Sequence, residues 1–177
     1  MAKKKALSVK RMALYGFLIA LGFVLGYVES LVPIYLGAPG VKLGLANLVS
    51  VIALYSLGVK SAAFINIARI FLVGFTFGNM ASILFSLAGA ALSLFIMAVC
   101  RRFHFFSMAG VSILGGVSHN IGQFFIAAYV VKTFGVFSYL PVLLIAGTVA
   151  GALIGLLGGL VLERIRPILA GMTGDDI

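Results

Sequence analysis

Two ionisable side chains lie deep inside long apolar runs of this sequence, where uncharged residues are the rule. Arg69 falls near the middle of the run 61–77, and His119 near the middle of the run 108–131. In a lipid-spanning segment a central charge costs about 2.5–3.5 kcal/mol on insertion scales, so such a residue usually has a task. An arginine presents a planar fork of N–H donors that suits a carboxylate or a phosphate. These positions therefore indicate a polar site within an otherwise apolar protein.

The composition requires the rest of the chain to be embedded in a membrane. Of the 177 residues, 63% are apolar and only 10% are charged, and the mean hydropathy is +1.23. A soluble domain has about 25% charged residues, so this chain has too few polar side chains to cover a water-facing surface. Disorder needs low hydrophobicity, and the single cysteine, Cys100, excludes a disulfide framework. The sequence therefore predicts a polytopic membrane protein.

Six apolar runs, separated by charges and turn-forming residues, fit a chain of this length, since a helical span takes about 20 residues. The runs are residues 12–28, 43–57, 61–77, 80–100, 108–131 and 140–162. We expect an all-α fold of six transmembrane helices. Residues 1–11 would form a basic N-terminal segment, residues 12–166 a single membrane domain, and residues 167–177 a short C-terminal tail.

The basic residues are distributed unevenly between the two sides of such a bundle. When the spans alternate in direction, ten Lys and Arg residues fall on the side of the termini, whereas only Lys42 and Lys132 fall on the other side. Cytoplasmic loops carry the excess of Lys and Arg, so both termini are expected in the cytoplasm. The net charge of +9 therefore indicates topology rather than nucleic-acid binding, for which a continuous basic surface would be needed.

The unusual polar residues gather between mid-membrane and the outer face of this predicted bundle. This asymmetry indicates a ligand pocket that opens outward, with Arg69 and His119 near its floor. Arg69 and Lys42 outnumber the one nearby acid, Glu29, so the pocket favours an anionic ligand, and Glu29 would orient a cationic group. The expected lining residues are Arg69, His119, Asn120, Gln123, Lys42, Asn47, Glu29 and Tyr139.

Several of these features also have a purely structural interpretation. Arg69 could pair with Glu29 or with carbonyl groups at a helix end, and His119 could be a packed hydrogen-bonding residue. Lys42 could extend its ammonium group to the membrane interface. The apolar, proline-containing segment 30–42 could close over the pocket as a lid or lie passively in the interface. The residue pattern leaves these alternatives open.

Small residues recur at helical spacing in three of the runs, and in lipid such residues let helices approach closely. The sixth run has Gly147, Gly151, Gly155 and Gly159, and the fourth has Ser82, Ser86, Gly89 and Ser93. We interpret both stripes as packing surfaces inside the bundle. The first run has Ala13, Gly16 and Ala20 on one face, and Gly22 and Gly26 on another. If a partner membrane subunit docks on the bundle, we expect it on the face formed by Ala13, Gly16 and Ala20.

The motifs of common enzyme classes are missing from the sequence. There is no phosphate-binding P-loop for ATP hydrolysis, no set of His and carboxylate residues for a metal, and no Ser–His–Asp arrangement. We therefore expect no catalytic residue, no cofactor and no metal site in this chain.

Several stretches of the sequence resemble a known family. They are PGVKLGLANLV (39–49), VSHNIGQ (117–123) and YLPVLLIAG (139–147), together with Arg69 in the third run. They are similar to the Gx transporter family, often labelled heptaprenyl diphosphate synthase component I, and the resemblance covers roughly residues 10–165. That family is in turn similar to the S-components of energy-coupling factor (ECF) transporters, by its six helices and its size.

The resemblance implies a substrate-binding subunit in the bacterial plasma membrane, which works with a transmembrane T-component and two cytoplasmic ATPases. Such a subunit binds its substrate from outside and topples in the membrane to release it inside. The face formed by Ala13, Gly16 and Ala20 would dock the T-component. We expect a small anionic metabolite or vitamin-like compound as the substrate. The other label implies a membrane accessory of a polyprenyl diphosphate synthase, and a channel that acts alone is a third alternative.

Overall fold

The computed structural model describes residues 9–31, 44–103, 106–132 and 134–173. In these residues it has six α-helices, one short 3₁₀-helix and no strand. The α-helices are α1 (Val9–Leu31), α2 (Leu45–Leu57), α3 (Val59–Phe77), α4 (Met80–Arg102), α5 (Met108–Val131) and α6 (Leu140–Thr173), and the 3₁₀-helix is Phe134–Tyr139. The predicted all-α fold, with one helix for each apolar run, is confirmed.

Five of these six helices are long and apolar enough to cross a membrane, and the exception is α2. It has only 13 residues, which at 1.5 Å per residue is about 20 Å, against a hydrocarbon core of about 30 Å. The chain is therefore a multi-pass membrane protein in which one helix is shorter than a full span. Residues 32–43, which precede Gly44 and include Lys42, lie outside the described part of the chain.

The short helix α2 forms the centre of the bundle and packs against α1, α3 and α6. Val49, Ala53 and Leu54 are completely buried, and four further residues of the helix are nearly so. A helix that is apolar on all sides is usually buried on all sides, and this one has no charged residue. The apolar run therefore predicted a helix correctly. The apolar side chains of α2 contact other helices, whereas the longer helices also have exposed apolar side chains.

Arg101 of α4 caps the C-terminal end of α2. Its guanidinium donates hydrogen bonds to the backbone carbonyls of Leu54 and Tyr55 and lies 5.0 Å from the centre of the Tyr55 ring. The last carbonyls of a helix have no partner within that helix, and a cation placed there also interacts favourably with the helix dipole. A residue that the sequence marked only as a topology charge therefore joins α4 to the central helix.

The last helix, α6, continues past the apolar run that predicted it. The run ends at residue 162, before Glu163, but the helix extends to Thr173 and includes Pro167. Hydropathy locates the boundary of the membrane, whereas a helix ends where its backbone hydrogen bonds end. The segment expected to be a C-terminal tail is therefore helical as far as Thr173.

Glycines bring α5 and α6 into close contact. A Cβ atom added at Gly151 would lie 2.6 Å from the carbonyl oxygen of Ser112, and Gly147 and Gly155 approach α5 almost as closely. The neighbouring atoms belong largely to the α5 backbone, so they cannot move aside without shifting the helix. Gly159 has no neighbouring atom within 4 Å of its Cβ position. The predicted packing of this stripe inside the bundle is confirmed at three of its four glycines.

Replacing Gly151 with alanine should destabilise the protein, because the new Cβ would also lie 2.7 Å from the Cα of Ile113. Overpacking of this kind costs about 1–3 kcal/mol. Gly159→Ala is the matched control, since alanine is favoured over glycine in a helix by roughly 1 kcal/mol. Thermal unfolding in detergent can be measured by circular dichroism. We expect a lower midpoint for Gly151→Ala and an unchanged or higher midpoint for Gly159→Ala. Equal midpoints would contradict the close contact between α5 and α6.

Candidate ligand site

A cavity of about 330 Å³ lies within the bundle, and residues of all six helices contribute to its wall. This volume is at the lower end of the range for small-molecule sites. Six of the eight side chains predicted from the sequence line it, and they come from α1, α2, α3 and α5. They are Glu29, Asn47, Arg69, His119, Asn120 and Gln123.

The other two predicted residues are not placed in this wall. Tyr139 is exposed at the end of the 3₁₀-helix and does not line the cavity, and Lys42 lies outside the described residues. Conversely, Asn79, Ser82 and Ser86 line the cavity although they were not predicted to. The signal for the two serines was the stripe of small residues in the fourth run, which the sequence supported only as a packing surface.

Arg69 is buried in the cavity wall, with 7% of its surface exposed, about halfway along α3. Its Nε donates to Oδ1 of Asn66, one turn earlier in the same helix, over 3.1 Å. Its Nη2 donates to Oδ1 of Asn47, in the first turn of α2, over 3.0 Å. Oδ1 of Asn66 also accepts a hydrogen bond from the hydroxyl of Ser50. This network joins α2 to α3 and holds the guanidinium in one position.

Helix α1 leaves room for the arginine through a glycine. A Cβ at Gly22 would lie 2.9 Å from Cδ of Arg69, and a Cβ at Gly26 would lie 2.9 Å from a methyl group of Val73. Both glycines are buried. The second small-residue face of the first run therefore packs on α3, and the aliphatic part of the arginine fills the groove that this face leaves.

Within the described part of the chain, the guanidinium of Arg69 is in ion-pair contact with no carboxylate, although Glu29 attracts it electrostatically. Both of its hydrogen-bond partners are neutral amide oxygens, and no acidic side chain of the described residues forms an ion pair with it. Two of its five N–H groups are used in these bonds, so the others can donate to a ligand. The site therefore contains a cation that is held firmly but has no counter-charge in contact.

Glu29 caps the start of α2. The ion-pair contact between Glu29 and Arg69 that the charges suggested is not observed, although the two charges attract each other. Oε1 of Glu29 accepts a hydrogen bond from the backbone N–H of Gly44. Gly44 has a φ of 77°, in the left-handed region that glycine adopts without steric cost. A carboxylate is stabilised at a helix N-terminus, where the N–H groups lack helical partners and the helix dipole is positive.

A second wall of the cavity comes from α5. Gly89 of α4 allows this helix to approach, because a Cβ there would lie 2.9 Å from Cε1 of His119 and 3.0 Å from Cγ of Gln123. The side-chain amide of Asn120 donates to the carbonyl of Leu143 over 2.7 Å and so joins α5 to α6. The cavity therefore has imidazole and amide groups on one helix and the guanidinium on another.

The predicted docking face on α1 lies away from the cavity. Ala13, Gly16 and Ala20 are all exposed. A Cβ added at Gly16 would meet no atom within 4 Å, so none of the described helices packs on the chain at this glycine. In this respect the face differs from the one formed by Gly22 and Gly26, which is covered by α3.

These features define a multi-pass helical membrane protein with an internal polar cavity of a size that suits a small ligand. Among the described residues, no three His, Cys, Asp or Glu side chains could together hold a metal ion. The chain belongs to the family described as heptaprenyl diphosphate synthase component I, which matches residues 18–161. That description names one component of a multi-component system. No curated protein and no solved structure matches the chain.

Asn66→Ala should destabilise the bundle, because Ser50 and Arg69 would both lose the oxygen to which they donate. A buried donor without an acceptor costs about 1–3 kcal/mol, and more when it is charged. We therefore expect the free energy of unfolding to fall by about 2–4 kcal/mol, measured by denaturant titration in mixed micelles. Thr148→Val is the control, since it removes an exposed hydroxyl that bonds to Leu144 of its own helix. An Asn66→Ala protein as stable as the parent would contradict the described network.

Proposed function

We propose that this chain is the substrate-binding membrane subunit of an ATP-driven importer of the ECF type, and that its substrate is a small anionic metabolite or vitamin-like compound. The observation that carries the proposal is the buried guanidinium of Arg69, which lines the cavity and bonds only to neutral amides among the described residues. Hydrogen bonds between an arginine and a carboxylate or phosphate are roughly twice as strong as neutral ones. An anionic group of the substrate would therefore bind at this residue.

The other polar side chains of the cavity would hold the remainder of the substrate. Asn47, His119, Asn120 and Gln123 line the same space as Arg69 and offer both donors and acceptors. A volume of about 330 Å³ corresponds to about eleven water molecules at their share of the liquid. The proposed substrate is therefore compact, with a polar body as well as an anionic group.

The proposed partners are a transmembrane T-component and two cytoplasmic ATPases. The chain has no P-loop of its own, so ATP hydrolysis would fall to those partners. The exposed face formed by Ala13, Gly16 and Ala20 supports docking of a membrane partner on α1, since small residues let helices approach closely in lipid. The excess of basic residues on the side of the termini supports an orientation with both termini in the cytoplasm, and the family resemblance supports a location in the bacterial plasma membrane.

A second candidate function follows from the description of the family. The chain would then be a membrane accessory of a heptaprenyl diphosphate synthase. In that role it would recruit or position the synthase at the membrane. The two functions require different partners, so they can be separated by what the chain binds in the cell.

Arg69→Ala should abolish substrate retention. We expect the parent protein, purified gently from native membranes, to carry a small acidic compound that mass spectrometry detects after denaturation. The variant should retain less than about one tenth of it, since a lost charge-assisted contact in a buried site costs at least 1.4 kcal/mol. His119→Ala should weaken retention less, because an uncharged hydrogen bond contributes less.

Arg102→Gln is the matched control for this experiment, since Arg102 is exposed at the end of α4. This variant should retain the compound at the level of the parent. The assignment of the cavity is wrong if Arg69→Ala and His119→Ala both leave retention unchanged while the proteins remain folded.

Affinity purification of the chain from its native membrane should recover an ATPase module. We expect two nucleotide-binding subunits and a second polytopic protein, and we expect their yield to fall when Gly16 is replaced by leucine, which would project into the exposed face of α1. Recovery of a soluble prenyl synthase without any ATPase would favour the second candidate function and contradict the first.

A further inference from the structure

Among the described residues that line the cavity, Glu29 is acidic, and Arg69 and His119 have basic side chains. With histidine counted as neutral, the described wall carries one negative and one positive charge, so it has no excess of either sign. A site for a simple anion gains nothing from a carboxylate in its wall, because the two negative charges repel each other. Besides capping the start of α2, Glu29 therefore places a negative charge in the same wall as the positive charge of Arg69.

The two charged groups attract each other across the cavity, but they are not in ion-pair contact. The carboxylate of Glu29 accepts from the backbone N–H of Gly44, and the guanidinium of Arg69 donates to Asn47 and Asn66. A carboxylate has about four acceptor positions and a guanidinium has five donors, so both groups keep unused bonding capacity. Two charges of opposite sign are thus held in the wall of one cavity and kept apart by neutral partners.

A ligand with charges of both signs satisfies this arrangement better than an anion does. Electrostatic interactions are stronger in a protein interior than in water, so an anion bound by Arg69 is opposed by Glu29, whereas a zwitterion is attracted by both. We propose that the ligand is a zwitterion of amino-acid size, with its carboxylate on Arg69 and Asn47 and its ammonium group on Glu29. This inference rests on the proposed function, keeps the anionic group that binds Arg69, and adds a cationic group to the substrate.

The rest of the described wall fits a compact and polar zwitterion. Ser82, Ser86 and Gln123 supply uncharged donors and acceptors, and Ile70 and Val73 supply an apolar surface. A cavity of about 330 Å³ accommodates on the order of ten to fifteen non-hydrogen atoms, judged by the volume of water in the liquid. That is the size of a free amino acid.

The test measures binding of matched compounds to the purified full-length chain. The probes are the twenty standard amino acids, each with the carboxylic acid that lacks its amino group and the amine that lacks its carboxyl group, measured by thermal shift and then by calorimetry. We expect at least one amino acid to bind at least tenfold more tightly than both of its truncated analogues. In Glu29→Gln, which can still accept from Gly44, the preference for the amino acid over the acid should disappear. Glu163→Gln, at an exposed position of α6, should keep the preference.

The outcomes separate this inference from the proposed function. If the acid binds as tightly as the amino acid and Arg69→Ala abolishes both, the ligand is an anion, the zwitterion is excluded and the proposed function stands. If Glu29→Gln keeps the full preference, the role assigned to Glu29 is wrong. If no compound of the set binds, the inference is overturned, while the compound retained from native membranes still decides the proposed function independently.

Discussion

A guanidinium in the middle of a lipid-embedded bundle has to be surrounded by hydrogen-bond acceptors, and much of this structure follows from meeting that need at Arg69. One acceptor is Asn66, one turn away on the same helix, and the other is Asn47 in the first turn of α2. The second bond sets the height of α2, because it places the start of this helix level with the middle of α3. Gly22 provides the space for the side chain. The outcome is a cation that is fixed in position and still able to bind an anion.

The bundle has two parts whose internal contacts are partly different. Helices α4, α5 and α6 pack through glycines such as Gly122 and Gly151, whose missing side chains let backbones meet. In the other part, a glycine face of α1 packs on side chains of α3. Helices α1, α2 and α3 are also joined by the polar network and by ring contacts such as that between Tyr27 and Phe77, with ring centres 4.7 Å apart. The cavity lies between these parts, so a bound ligand would contact the guanidinium on one side and α5 on the other.

The sequence was a good guide to the features that depend on local composition. Helices were predictable because each apolar run is continuous, and Arg69 stood out because a charge within such a run is costly. The sequence could not predict which partner each charged side chain binds. Arg69 and Glu29 were natural candidates for an ion pair, but the N-terminus of α2 bonds the carboxylate instead, and that helix end is defined only in the folded chain. For the same reason Arg101 was predictable as a basic residue beside the membrane but not as the cap of a distant helix.

The role of Arg69 in binding is tested most directly by an experimental structure of the protein with its native ligand bound in a lipid nanodisc. We expect an acidic group of the ligand within about 3 Å of a guanidinium nitrogen of Arg69, with Asn47 and Asn66 still bonded to the same side chain. A ligand that lies outside this cavity, or one that occupies the cavity while Arg69 binds no part of it, would contradict this role.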